Sequence, residues 1–321
     1  MNRRILLGAF LTLSAAISGT FENEILDFDG DDSGDYIIRW AFQEKCDHVH
    51  DMITSIWQWP TSETGVTFNP ADVQPGGIVF ARKAPEFFET VHPQIKNPYI
   101  MVTMGEWRES VQDSWLDYLD DEKIIAWFSI HACERVHPKF YPLPIGLFQQ
   151  KDVYDNRVNL KKLFAELRTR PKTKLLYSNY GDMFNKKADR KELDDYMKDK
   201  PWCTYSKNIQ GLEFPVFMKE MADFKFALSP RGYGIDCYRT WEALLVGSIP
   251  IVRHSQLDPL YEGLPILVID DWKELTEEFL NEKYKEIVSK KYDIAPLFIK
   301  YWFKKMKRIR KAYFAKHPEK R

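Results

Sequence analysis

The chain has 321 residues, 44% hydrophobic and 15% aromatic, which is enough for two modest cores and too apolar for a disordered polymer. Its 46 Lys and Arg against 47 Asp and Glu leave a net charge of −1, so no overall charge draws it to nucleic acid. The 4 cysteines, Cys46, Cys133, Cys203 and Cys237, form no Cys-x-x-Cys pair, which excludes zinc-ribbon and thioredoxin-like chemistry. Pairing within an oxidising lumen stays open, with free buried thiols preferred.

Residues 1–18 join a basic start at Arg3 and Arg4 to an apolar run from Ile5 to Ile17, with small residues at Ala16 and Ser18. That layout predicts a secretory signal cleaved near Ser18, or a short anchor, and hence a Golgi or ER lumen. Residues 19–35 are acidic and read as an exposed linker. Asp29, Asp31, Ser33 and Gly34 open like a calcium loop, but Trp40 stands where a bidentate glutamate is needed. Asp27 and Asp29 form an Asp-x-Asp pair with no strand before it, so both motifs read as solvated linker. His48 and His50 share one side of a strand without a third ligand nearby, and no metal site is expected.

From 36 to 168 apolar runs alternate with helical patterns: GGIVFARK, a helix near 85–91, YIMVTM, a helix near 109–119, then KIIAWFSI. Strands spaced by helices predict a parallel sheet with crossover helices, a first Rossmann-like domain. Pro138, Pro142 and Pro144 punctuate its exit, and 159–168 reads as a helix. The second domain, 174–290, repeats the alternation: KLLYSN, a charged helix over 186–197, WCTYS, a helix over 214–222, a strand over 264–270 and a helix over 272–280. Residues 291–321 carry a helical stripe of Phe298, Trp302, Met306, Ile309 and Tyr313 opposite a strongly basic face. Such a helix docks its stripe on the protein body or lies on an anionic membrane; docking is preferred.

Between the helix over 214–222 and the strand over 264–270 lies the most informative stretch, FKFALSPRGYGIDCYRTWEALLVGSIPIV. Phe224 to Leu228 has strand length, and Pro230, Gly232 and Gly234 end it. Asp236 has the place of an N-cap; Tyr238, Trp241, Leu244 and Leu245 recur at helical spacing until Gly247, and a buried strand follows. Unpaired N–H groups at a helix start form an anion site, and Arg231 stands beside it. Arg239 and Glu242 share a helix face, so an arginine can meet a diphosphate while a carboxylate accepts from ribose hydroxyls. A nucleotide-sugar satisfies both; an exposed ion pair beside a plain turn is the bland alternative.

The segment resembles the signature of the exostosin-type glycosyltransferases: an apolar strand, P-R-G, then R-x-x-E-A-L, G and I-P-I. Those positions are Pro230, Arg231, Gly232, Arg239, Glu242, Ala243, Leu244, Gly247, Ile249, Pro250 and Ile251. The resemblance implies an α/β, GT-B-like fold of two Rossmann-like parallel-sheet domains with a cleft between them. It also implies inverting sugar transfer to a glycan or other hydroxyl acceptor, with no bound metal or other cofactor and the nucleotide-sugar as co-substrate. Arg231 and Arg239, with Gly232 and Gly234 in the loop, would hold the donor diphosphate and Glu242 the ribose. Upstream, VTMGEWRESV and AWFSIHACERVHPKFYPLPIGL echo acceptor-half segments, although Gly105, Glu106 and Trp107 depart from the small polar cluster of relatives.

Inverting transfer needs a base for the acceptor hydroxyl. Glu106, His131 and Glu134 lie near strand ends of the acceptor half and are the candidates, with Glu106 and His131 preferred. A catalytically silent carbohydrate- or nucleotide-binding module is the alternative reading. A dinucleotide oxidoreductase ranks below both, because no Gly-x-Gly-x-x-Gly follows the first strand.

Overall fold

The computed structural model describes residues 26–29, 35–38, 41–51, 68–104, 111–130, 132–148, 157–180, 188–206, 213–232 and 234–321. Two five-stranded sheets, parallel throughout, carry the fold. The first runs in the order β2 (His48–His50), β3 (Gly77–Ala81), β4 (Tyr99–Thr103), β5 (Ile124–Ser129), β6 (Phe140–Pro142). Every residue of β3, β4 and β5 is buried, which is why their sequences read as unbroken apolar runs and not as alternation. Helix α1 (Ala84–Thr90) crosses from β3 to β4. The crossover from β4 to β5 is a 3-10 helix over Asp113–Asp120 where an α-helix was expected; its buried residues, Leu116 and Leu119, are three apart, the period of that tighter helix. Strand β6 was not foreseen, because its prolines suggested a plain exit; Pro142 is tolerated since β6 is an edge strand.

Helix α2 (Arg157–Arg168) leads to the second sheet, ordered β11 (Leu267–Ile269), β10 (Ile249–Arg253), β9 (Phe224–Leu228), β7 (Lys174–Ser178), β8 (Cys203–Tyr205). Its helices are α3 (Ala188–Met197), α4 (Phe214–Met221), α5 (Tyr238–Leu245), the short α6 (Asp258–Tyr261) and α7 (Glu277–Val288). The helix expected over 272–280 is split. Asp271 and Glu274 close a capping box on a 3-10 turn, and Thr276 then caps α7 by accepting from Phe279 N–H at 3.1 Å. The acidic linker expected over 19–35 is also interrupted: Asp27–Asp29 forms β1, parallel to β12 (Lys291–Asp293), and Leu26 is buried in the second core.

The last helix, α8 (Ile299–Lys316), returns to the first domain. Trp302 and Met306 are buried, Phe42 stacks on Phe303 at 6.1 Å, Tyr313 Oη donates to Glu122 O at 3.0 Å, and Arg310 donates to Gly76 O at 3.2 Å. The membrane contact considered for this helix is not supported, since Trp302 and Met306 at the centre of its apolar stripe are already packed on the protein and Ile309 and Tyr313 are half-buried there. One hydrophobic cluster runs from Phe80, Val102 and Phe128 through Trp241 and Leu244 to Trp302, so the two halves share a core.

The carboxyl ends of the two sheets face each other. Glu134, beyond β5, accepts from Gln256 beyond β10 at 3.3 Å, and Ile145, beyond β6, donates to Asp236 beyond β9 at 2.8 Å. The joining segment is tightly seated: Leu147 N–H donates to Ile37 O at 2.8 Å, and a Cβ on Gly146, whose φ is +76°, would lie 2.1 Å from Ile37 O. Gly146→Ala is therefore expected to cost about 2–3 kcal/mol, read as a lower midpoint in denaturant; a change below about 0.5 kcal/mol would contradict this seating. This is the expected α/β, GT-B-like arrangement of two Rossmann-like domains.

Candidate functional site

In the second sheet β8 lies on one side of β7 and β9 on the other, so the strand order reverses between β7 and β9. Open parallel sheets bind ligands beyond the carboxyl ends of the strands at such a reversal. Two segments emerge there, Asn179 and Tyr180 after β7, and the 229–237 loop after β9. The loop is anchored at both ends: Ser229 Oγ bonds Thr240 Oγ1 at 2.8 Å, and Cys237 Sγ donates to Pro230 O at 3.1 Å. Helix α5 then starts with Cys237 in the N-cap position and no side-chain cap. Asp236, expected to cap it, does other work described below.

The distinctive cluster is cationic. Arg239, in the first turn of α5, sets its guanidinium 5.7 Å from the ring centre of Tyr180, and Arg190 of α3 sets its own 5.4 Å from the same ring. Arg239 Nε is buried with no hydrogen-bond partner among the described residues. Burial lowers the pKa of Arg239, and the like charge of Arg190 acts in the same direction. Arg190 also donates Nε to Arg231 O at 3.0 Å and reaches Pro230 O at 3.4 Å, clamping the loop. Arg231 joins the cluster through that carbonyl and is exposed, while Gly232 and Gly234 are half-buried in the same loop. Buried Asn179 has its Oδ1 without a partner among the described residues, a further unsatisfied polar atom at the reversal.

Two carboxylates lie behind the cations. Asp236 is buried and accepts from Ile145 N–H at 2.8 Å, Cys237 N–H at 2.8 Å and Trp241 Nε1 at 2.9 Å. Glu242 is 3% exposed; its Oε1 accepts from Phe148 N–H at 3.1 Å, and its Oε2 has no partner among the described residues. Burial pushes both carboxyls up to about 7, against N–H donors that favour the anion and, for Glu242, the nearby Arg239 charge. Phe148 itself is 45% exposed and meets Tyr238 edge-on at 5.3 Å.

On the acceptor side, Glu106 and His131 lie outside the described residues, as do the signal at 1–18 and the bulk of the calcium-like run. Glu134 is exposed and shares its carboxylate with Gln256. At the end of β10, Arg253 donates to Asp270 O at 3.0 Å, and His254 pairs with Asp258, which raises its pKa. The four cysteines are free thiols. Among the described residues no group of three His, Cys, Asp or Glu could hold a metal ion, and no helix is long and apolar enough to cross a membrane.

The structure thus joins Arg231, Gly232, Gly234, Arg239 and Glu242 in one region and adds two residues that sequence reasoning missed. Arg190 sits in the charged run KKADRKE, where nothing distinguishes it from its neighbours, and Tyr180 simply follows a strand. Their only signal is position after β7, the strand beside the reversal.

No protein-family model matches the chain, and no curated protein matches it. Among solved structures, a crystal structure of an alpha1,3-fucosyltransferase is similar at 11% identity, covering 83% of this chain and 80% of that one with a TM-score of 0.39. The fold assignment rests on the strand orders and parallel registers of the two sheets. The exostosin-type resemblance remains confined to its motif of about thirty residues.

Proposed function

We propose that the protein is a nucleotide-sugar-dependent glycosyltransferase that binds its donor diphosphate between Arg239, Arg190 and the 229–237 loop. The observation that carries this reading is the half-buried Arg239 guanidinium, which shares the Tyr180 ring with Arg190 at the strand reversal and has a buried Nε without a hydrogen-bond partner among the described residues. Two guanidiniums held together against their repulsion favour a dianionic group, and planar forks suit phosphate oxygens. The N–H groups at the start of α5 add to the attraction. Glu242 Oε2 is the acceptor left for a ribose hydroxyl. In the reaction this cationic cradle would stabilise the diphosphate leaving group, while a base from the acceptor half, Glu106 or His131, takes the acceptor proton in an inverting displacement.

The acceptor in this reading is a glycan or another hydroxyl compound, and the transferred group a hexose or pentose, as in the exostosin-type enzymes. A secretory-organelle lumen reconciles the N-terminal apolar run with the need for a nucleotide-sugar. Thermal-shift screening against nucleoside diphosphates and their sugars tests the proposal. A ligand at a hundredfold its dissociation constant should stabilise by about 2.7 kcal/mol. Binding followed by donor hydrolysis or transfer supports the enzyme, binding without turnover supports a silent nucleotide-binding module, and no shift with any nucleotide contradicts the enzyme and leaves only a carbohydrate-binding module.

A further inference from the structure

We infer that Asp236 is a positioning residue that fixes the exit segment of the first domain against the 229–237 loop, and so sets how the acceptor half meets the donor; this rests on the glycosyltransferase reading. Its carboxylate gathers donors from three places: Ile145 N–H, 91 residues away in the exit segment, Cys237 N–H at the end of the loop, and Trp241 Nε1 on α5. An N-cap accepts from the N–H of the second or third helical residue, whereas Asp236 accepts from Ile145, Cys237 and the Trp241 indole, and α5 has Cys237 in its N-cap position with no side-chain cap. Asp236 therefore does not cap the helix it precedes.

The exit segment transmits what happens at Ile145. Gly146 is packed against Ile37 O, Leu147 is paired with Ile37, and Phe148 N–H donates to Glu242 Oε1, a second clasp three residues on. Both clasps land on the helix and loop that carry Arg239. A shift of one domain against the other must then break N–H to carboxylate bonds within the site.

The clasp also has an acid side. The groups facing Asp236 are the Ile145 and Cys237 amides, the Trp241 indole, and the Cys237 thiol and Tyr261 phenol, both held protonated by burial. Facing Glu242 are Phe148 N–H and the Arg239 guanidinium. The hydrogen-bond donors favour ionised carboxylates, but burial outweighs them and holds both carboxyls near 7, so the closed clasp takes up protons as pH falls below about 7 and gains on any opened form in which the carboxyls are solvated.

The test compares the parent protein with Asp236→Asn, which keeps the shape but turns an amide against the N–H donors. Affinity for UDP or GDP, whichever gives the larger thermal shift with the parent, should stay within about threefold. Donor turnover at about pH 8 should fall at least about tenfold. Amide hydrogen exchange at Ile145 should quicken by about tenfold or more. Full turnover with a protected Ile145 would overturn the inference; so would an equal loss of affinity, turnover and melting temperature, the mark of a purely structural residue. The parent alone supplies a second arm should the variant fail to fold. Ile145 protection, corrected for intrinsic exchange, should strengthen as pH drops below about 7, and flat or weakening protection would count against the clasp. Absence of any UDP or GDP binding by the parent would defeat the glycosyltransferase reading, while the exchange arm would still decide whether Asp236 holds the segment.

Discussion

Arg239→Ala is expected to weaken UDP or GDP binding by about a hundredfold or more while leaving the melting temperature unchanged or raising it. A charge-assisted hydrogen bond contributes about 1.5–3 kcal/mol, and about 2.7 kcal/mol already corresponds to a hundredfold. The direction of the stability effect separates a ligand role from a structural one. Arg239 is half-buried beside another guanidinium, and its buried Nε has no hydrogen-bond partner among the described residues, so the folded protein bears a desolvation cost that the Tyr180 ring and the Glu242 charge offset in part and a bound anion would offset further. Removing the cation relieves that cost. Calorimetric titration and thermal unfolding of the same variant check both halves, and a stability loss with unchanged nucleotide affinity would mean that Arg239 serves the fold.

The largest effect on stability belongs to Lys172, which is buried between three helix ends. Its Nζ donates to Ala222 O at 2.7 Å and Val246 O at 2.6 Å, the C-cap carbonyls of α4 and α5, and lies 3.5 Å from Leu167 O in the last turn of α2. Carbonyls at helix C-termini lack intrahelical donors and carry the negative end of the dipole, so one amine satisfies two of these ends and lies beside the third. Lys172→Met keeps the aliphatic stem and strands the carbonyls, at an expected cost of about 3 kcal/mol in chemical denaturation. Burial lowers the Lys172 pKa to about 7. The unfolded chain, with an ordinary lysine, then binds more protons between that value and about 10.4, so this residue adds stability as pH rises through the window. The free-energy gap between parent and variant should widen toward alkaline pH. A cost under about 1 kcal/mol would show that water replaces the amine.

Much of the scaffold was legible because parallel strands buried on both faces leave continuous apolar runs, as in GIVFA and YIMVT. The turn from β9 into α5 was equally readable, since proline and glycine punctuate it and Gly247 ends the helix. The C-terminal stripe of Trp302 and Met306 announced a docked helix. The three-residue strands β1, β6 and β12 were not legible, as each is held by pairing partners distant in sequence and carries little pattern of its own. Asp236 shows the limit most clearly. Its spacing from the helix suggested a cap, but its decisive partner, Ile145, lies in another domain and leaves no mark in the local sequence. Arg190 was hidden for the same reason, since its meaning comes from Tyr180 and from the loop carbonyls it reaches.

Titration of the parent protein with a matched series of nucleoside, nucleoside monophosphate and nucleoside diphosphate, sharing one base, addresses the cradle itself. If Arg239 and Arg190 hold a pyrophosphate, affinity should climb at each added phosphate, with the diphosphate at least about a hundredfold tighter than the nucleoside and the gain fading as salt rises. Equal affinity across the series, or none at all, would contradict the account.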